Sequence, residues 1–378
     1  MLNKKVFVVI LLVSITISFS FGVSVGVFKI PPYSILDLGF DIIIDIIIDK
    51  NDNPIMLLAN PTFNISSIID IENENDIIEK HEKLISYIYK DNSFNLKTLT
   101  KIEQNIYDEK YSDLKNLNSI DEFLIEMEYG VNSKSYLFLP KVETQSLVVY
   151  HQGHAGDFYH GKETIQFLLN NNFAVLAFSM PLTGQNSNPI IDLENFGKFR
   201  LNYHDDLIYL ESKNFSPLKF FFEPISSSLN YLDDNYSFNH YYMMGISGGG
   251  WVTGVYSALD TRIEKSFPVA GTTPIFLRLN NPTNFGDYEQ RVPNFYSIAN
   301  YLEQYVMSSY GKDREQLQIF NNHDPCCFSG NSSLVYEDKI QNILSLLGDG
   351  KFSIHIDENN YQHSISQDSL ELILEKLS

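Results

Sequence analysis

Tyr241-Tyr242-Met243-Met244-Gly245-Ile246-Ser247-Gly248-Gly249-Gly250-Trp251 runs from apolar residues into glycines placed around one serine. Gly245-Ile246-Ser247-Gly248-Gly249 fits the pattern G-x-S-x-G, in which a strand ends, a sharp turn presents the serine, and a helix begins. A turn that holds a serine in an unfavourable backbone conformation needs neighbours without Cβ atoms, because the helix passes close to the strand it leaves. Apolar residues 241–245 read as the strand and residues 249–259 as the helix. The pentapeptide alone recurs by chance, so the argument rests on this context.

A serine so presented calls for an acid and a histidine later in the chain, in that order. Residues 317–320 form a short strand-like run that stops at Asn321-Asn322-His323-Asp324-Pro325. Asp324 therefore sits just past a buried strand, at the edge where open α/β sheets place their ligands. Residues 352–356 alternate as a strand, a polar loop follows over 357–362, and His363 precedes a helix carrying Leu370, Ile373, Leu374 and Leu377. His355 points sideways from its strand and reads as a packed or edge histidine. Asp287 and Asp357 are rival acids; Asp287 does not directly follow a strand.

With these landmarks the chain resembles the α/β-hydrolase superfamily from about residue 121 to its C-terminus. A further landmark is the strand 146–150, which opens into His151-Gln152-Gly153-His154-Ala155-Gly156-Asp157. The resemblance implies a Ser247-Asp324-His363 triad and an oxyanion hole built from the backbone N–H of Gly248 and that of His154 or Gln152. It departs from the usual His-Gly pair by the inserted Gln152. Gln152, Gly153, Trp251 and Tyr288 are expected to contact substrate. The histidines, with Asp157, His160 or His204-Asp205-Asp206, show no recognised zinc spacing, so no metal and no cofactor are expected. The implied chemistry is acyl transfer to water, with a carboxylic ester as substrate. A serine peptidase of the same fold and a catalytically silent binding or scaffold protein are the alternatives.

The formal charge of −20 on 378 residues, without a Lys/Arg cluster, excludes nucleic acid as a partner. Lys4 and Lys5 precede residues 6–28, which carry no charge; as a helix they would span about 34 Å. Residues 1–30 are expected to be a signal anchor with the catalytic part exported, or a cleaved signal peptide with a site at Ser20-Phe21-Gly22 and a secreted or periplasmic product. The only cysteines, Cys326 and Cys327, are adjacent; they are either a vicinal disulfide or two buried thiols.

Residues 31–118 read as an extension of unknown role. They hold the Ile-rich repeat from Asp41 to Asp49, an amphipathic helix over 77–89 and a more polar helix over 96–117. The catalytic domain is expected over 119–378. It opens with a hairpin of strands 122–129 and 134–139 and continues with strands 173–178 and 265–270 and helices 160–169, 217–232 and 296–307. The expected architecture is an α/β fold with a mostly parallel sheet of eight strands flanked by helices. Residues 182–216 and 271–315 are long enough to roof the strand ends.

Overall fold

The computed structural model describes residues 65–90, 98–193, 197–278 and 285–377. Residues 64–378 form one compact unit. The stretches 6–28 and Asp41 to Asp49 lie outside the described residues. No helix among the described residues is long and apolar enough to cross a membrane.

The unit is built on a nine-stranded sheet. Helix α1 (Glu74–Tyr89) precedes β1 (Lys101–Glu103), β2 (Leu117–Glu126), β3 (Asn132–Pro140) and β4 (Ser146–His151). Then come α2 (Lys162–Asn170), β5 (Ala174–Phe178), the short ribbon β6 (Ile190–Leu193) and β7 (Gly197–Arg200), α3 (Lys219–Asn235) and β8 (His240–Ile246). The chain closes with α4 (Gly248–Leu259), β9 (Ile263–Val269), α5 (Pro293–Ile298), α6 (Tyr301–Ser309), β10 (Glu315–Asn321), α7 (Leu334–Leu347), β11 (Lys351–Asp357) and α8 (Gln367–Leu377).

The order β1-β2-β3-β5-β4-β8-β9-β10-β11 divides the sheet in two. Strands β5, β4, β8, β9, β10 and β11 run parallel, while β1, β2 and β3 pair antiparallel. All five residues of β5 are buried and β8 is exposed only at His240, as expected of strands covered on both faces. Helix α4 is buried along its whole length. The expected hairpin forms as β2–β3, with its first strand at Leu117–Glu126 rather than 122–129.

Two expectations need correction. The polar helix over 96–117 does not form: Lys101–Glu103 adds a ninth strand to the sheet, and Glu109–Tyr111 is a single short turn. Its polar pattern offered no apolar face to bury. Asp121 instead accepts the Asn105 N–H at 2.7 Å, and Tyr111 packs against Tyr136, Phe138 and Phe158. The expected helix over 296–307 is two helices, because Asn300 turns extended and its side chain accepts the N–H groups of Leu302 and Glu303. A similar box at Asn73 starts α1 ahead of the apolar stripe that marked it. The segment before residue 119 thus contributes α1 and β1 to this unit.

Candidate active site

Ser247 links the end of β8 to the start of α4 with φ 57° and ψ −126°, a conformation that L side chains rarely adopt. Such strain costs on the order of 1–3 kcal/mol and persists only where the surroundings over-determine it. Here the Ser247 N–H donates to Val269 O at 2.9 Å and its carbonyl accepts from Trp251 N at 3.0 Å. The backbones beside it are crowded. A Cβ at Gly249 would lie 2.0 Å from His151 O, and one at Gly153 would lie 2.7 Å from Ser247 Cβ. The glycines let β4, its following loop and the turn touch.

Parallel strands carry their C-terminal ends to one edge of the sheet, and the chemistry-bearing residues gather there. Ser247 follows β8 and His154 follows β4. Asp324 follows β10, and His363 follows β11. The ends of β10 and β11 pair in register at Asn321 and Asp357. From there the two loops meet: His363 Nδ1 lies 2.7 Å from Asp324 Oδ2. The Ser247 hydroxyl and the His363 ring share no hydrogen bond in this structure.

Asp324 is held from several sides. Its Oδ1 accepts the backbone N–H groups of Cys326 (2.8 Å) and Cys327 (3.3 Å). Burial works to raise its pKa, but the His363 hydrogen bond and these N–H donors outweigh it and hold the carboxyl below its usual range. Cys326 and Cys327 are joined in a vicinal disulfide, one of the two readings of the pair.

The rival acids are engaged elsewhere. Asp287 Oδ2 lies 2.9 Å from His154 Nε2. Asp357 accepts the N–H groups of Asn359 and Asn360 and the hydroxyls of Ser366 and Ser369, so it organises the loop that carries His363. Asn321, which sequence reasoning passed over, has a matching job. Its buried amide donates to Gln362 O at 3.1 Å and Ser364 O at 3.0 Å, the carbonyls flanking His363. Its only signal was a polar residue ending an apolar strand.

As the first residue of α4, Gly248 has a backbone N–H without an intrahelical acceptor. Gln152 drops out as the partner donor, because its N–H is bound to Phe178 O at 2.9 Å. That leaves His154 of the two candidates. The expected substrate contacts also change. The Gln152 side chain is buried and takes the Tyr150 hydroxyl. Trp251 is fully buried against Phe221 and Phe222, with Nε1 donating to Tyr296 Oη at 2.7 Å; it is core. Tyr288 is buried in the roof and donates to Glu211 Oε2 at 2.5 Å. Gly153 lies against the Ser247 side chain, where a Cβ would stand 2.7 Å from Ser247 Cβ.

A second group of polar side chains stands beside the turn. The His154 ring lies over Gly248, where a Cβ would come within 2.4 Å of His154 Cε1. On its other side, Nε2 faces Asp287 Oδ2 at 2.9 Å and both Glu289 Oε1 and His204 Nδ1 at 3.1 Å. Burial favours the neutral His154 ring, but the two carboxylates outweigh it and raise its pKa to about 10. Glu289 is fully buried. Burial works to raise its pKa, but His204 and His154 outweigh this and hold the carboxyl well below its usual range. His204 and Glu289 had no spacing that linked them; they are 85 residues apart.

No family model matches the sequence, and no curated protein matches it. The structure is similar to that of acetyl xylan esterase 1 from Thermoanaerobacterium sp. JW/SL YS485, with a TM-score of 0.52 and 13% identity over 80% of this chain and 92% of that one. It is also similar to the acetyl xylan esterase from Paenibacillus sp. R4, with a TM-score of 0.50 and 16% identity over 82% and 96% of the two chains. At such identities the likeness establishes the fold.

Proposed function

We propose that this chain, which has the α/β-hydrolase fold, is a serine hydrolase that cleaves a carboxylic ester. The observation that carries the reading is the backbone of Ser247, strained at the strand-to-helix turn, with the His363–Asp324 pair on loops leaving the same edge of the sheet. Both similar structures are acetyl xylan esterases, which favours an ester over a peptide bond.

In this mechanism Ser247 attacks the acyl carbon while His363 Nε2 takes the hydroxyl proton. Asp324 holds the Nδ1–H tautomer and stabilises the imidazolium that forms. The N–H groups of Gly248 and His154 receive the oxyanion, a donor of this kind contributing about 3–4 kcal/mol. The imidazolium then protonates the leaving alcohol, and water releases the acyl group by the reverse proton path. The charge-free residues 6–28 support export, tethered or after cleavage; N-terminal sequencing of the mature protein distinguishes the two.

The test is labelling with a fluorophosphonate probe beside a panel of aryl esters and peptides. The probe should modify Ser247, the esters should turn over, and Ser247→Ala should abolish both. A fully active Ser247→Ala variant would sink the mechanism, and turnover confined to peptides would move the reading to the peptidase.

A further inference from the structure

We propose that His154, His204, Asp287 and Glu289 form a closed four-ligand site for one divalent transition cation of the Zn²⁺ type. Their ligand atoms all lie within 4.8 Å of one another. Four contacts among them are 2.9–3.1 Å: His154 Nε2 to Asp287, Glu289 and His204 Nδ1, and His204 Nδ1 to Glu289 Oε2. Ligands about 2.0–2.1 Å from a tetrahedral metal stand about 3.3 Å apart, so a small outward shift makes room for the ion.

The proton count is the second argument. His204 Nε2 lies 2.8 Å from Pro181 O, and a carbonyl oxygen only accepts, so Nε2 carries the hydrogen. When that is its one hydrogen, His204 turns a lone pair at Nδ1 into the cluster. A ring N–H given to a backbone carbonyl is the usual way a metal-binding histidine is oriented. With Nδ1 of His204 bare, the one hydrogen on His154 Nε2 faces three acceptors. Protonating both rings would set two N–H groups against each other at 3.1 Å. A divalent cation meets all four groups with no proton and cancels both carboxylate charges. Glu289 matters most here: it is fully buried, presents both oxygens to the cluster, and meets one of these two imidazoles with each.

The donor set selects the metal class. Two imidazoles and two carboxylates without a thiolate suit Zn²⁺ and its neighbours rather than Cu⁺, and the imidazoles argue against Mg²⁺ or Ca²⁺. Four protein ligands leave no open position, which marks a structural site. The ion would clamp the loop after β4 to the turns His204–Leu210 and Tyr288–Gln290. This inference stands on side-chain geometry and does not depend on Ser247 being a nucleophile.

The test uses the full chain, stripped with chelator and titrated calorimetrically with Zn²⁺ and, separately, followed optically with Co²⁺. We expect one Zn²⁺ per chain with a Kd of about 0.1 µM or tighter, the intense visible bands of tetrahedral Co²⁺, and a rise in Tm on adding one equivalent of Zn²⁺. Asp287 is half exposed, so Asp287→Asn should fold and weaken Zn²⁺ at least about 10-fold. Glu289→Gln and His204→Ala should weaken it further. A wild-type chain that takes up no stoichiometric Zn²⁺ would overturn the proposal, as would binding equally tight in Asp287→Asn and His204→Ala.

Discussion

Two histidine–carboxylate groups stand at the same edge of the sheet, and they differ in what each imidazole nitrogen meets. His363 meets one carboxylate through Nδ1, leaving Nε2 uncommitted. His154 meets two carboxylates and a second imidazole through one nitrogen, while its ring covers Gly248. The first arrangement suits proton transfer, because a base needs a nitrogen that can gain and lose a hydrogen within reach of its partner. The second suits a permanent charge, whether a proton or a metal ion. A third imidazole completes the series: His151, buried at the end of β4 with only a backbone carbonyl beside Nδ1. Identical side chains thus take three roles according to the number of carboxylates each one faces.

The sharpest way to break this comparison is to change one acid in each group. Asp324→Asn should leave the fold intact and lower kcat about 10⁴-fold, because the amide no longer fixes the imidazole tautomer. Asp287→Asn should reduce kcat far less. Ester kinetics on both variants decides the matter, and equal losses would merge the two groups into one catalytic unit.

Gly249→Ala tests whether the groups are mechanically separable. The added Cβ would lie 2.0 Å from His151 O, so β4 and the turn must part, at a cost of about 3 kcal/mol or more. Urea unfolding should show the loss. The His363–Asp324 pair, carried by the loops after β10 and β11, should keep its hydrogen bond in a structure of the variant.

His151 sharpens the series through pH. Burial pushes its imidazole down to about 4, against about 6.5 when exposed. Between those values the unfolded chain holds a proton that the folded chain does not. This histidine's contribution to stability is therefore complete above about pH 6.5 and declines as the pH falls toward about 4, by about 3 kcal/mol in full. Unfolding midpoints at about pH 7 and about pH 5 should differ in the wild type. His151→Gln should narrow the difference.

Reduction of Cys326–Cys327 should have the smallest effect. The groups that hold Asp324 are backbone N–H donors, which survive reduction. Mild reductant should therefore lower turnover less than Asp324→Asn does and leave the unfolding midpoint near its oxidised value. A loss matching Asp324→Asn would show that the sulfur bridge itself sets the acid's position.

Much of the candidate site was legible because its parts obey local rules. A glycine-ringed serine after an apolar run, an Asp after a short strand and a His between strand and helix each carry a signal a few residues long. The failures share a cause as well. The helix over 96–117 rested on polar residues with no buried face, and pairing with β2 made Lys101–Glu103 a strand instead. Trp251 is an aromatic residue near the serine, yet the helical turn carries it into the core between Phe221 and Phe222.

The order of Ser247, Asp324 and His363 along the chain and the apolar runs of the central strands belong to the sequence alone, since short-range pattern and backbone sterics dictate them. Only the folded chain could pair Asp324 rather than Asp287 or Asp357 with His363, tie the Gln152 N–H to Phe178 O, and bring His154, His204 and Glu289 together from positions 50 and 85 residues apart. Those outcomes turn on which loops the parallel strands deliver to the same edge. Contacts of that range leave no periodicity behind, because each residue meets its partner through the register of the sheet and the path of a long connection.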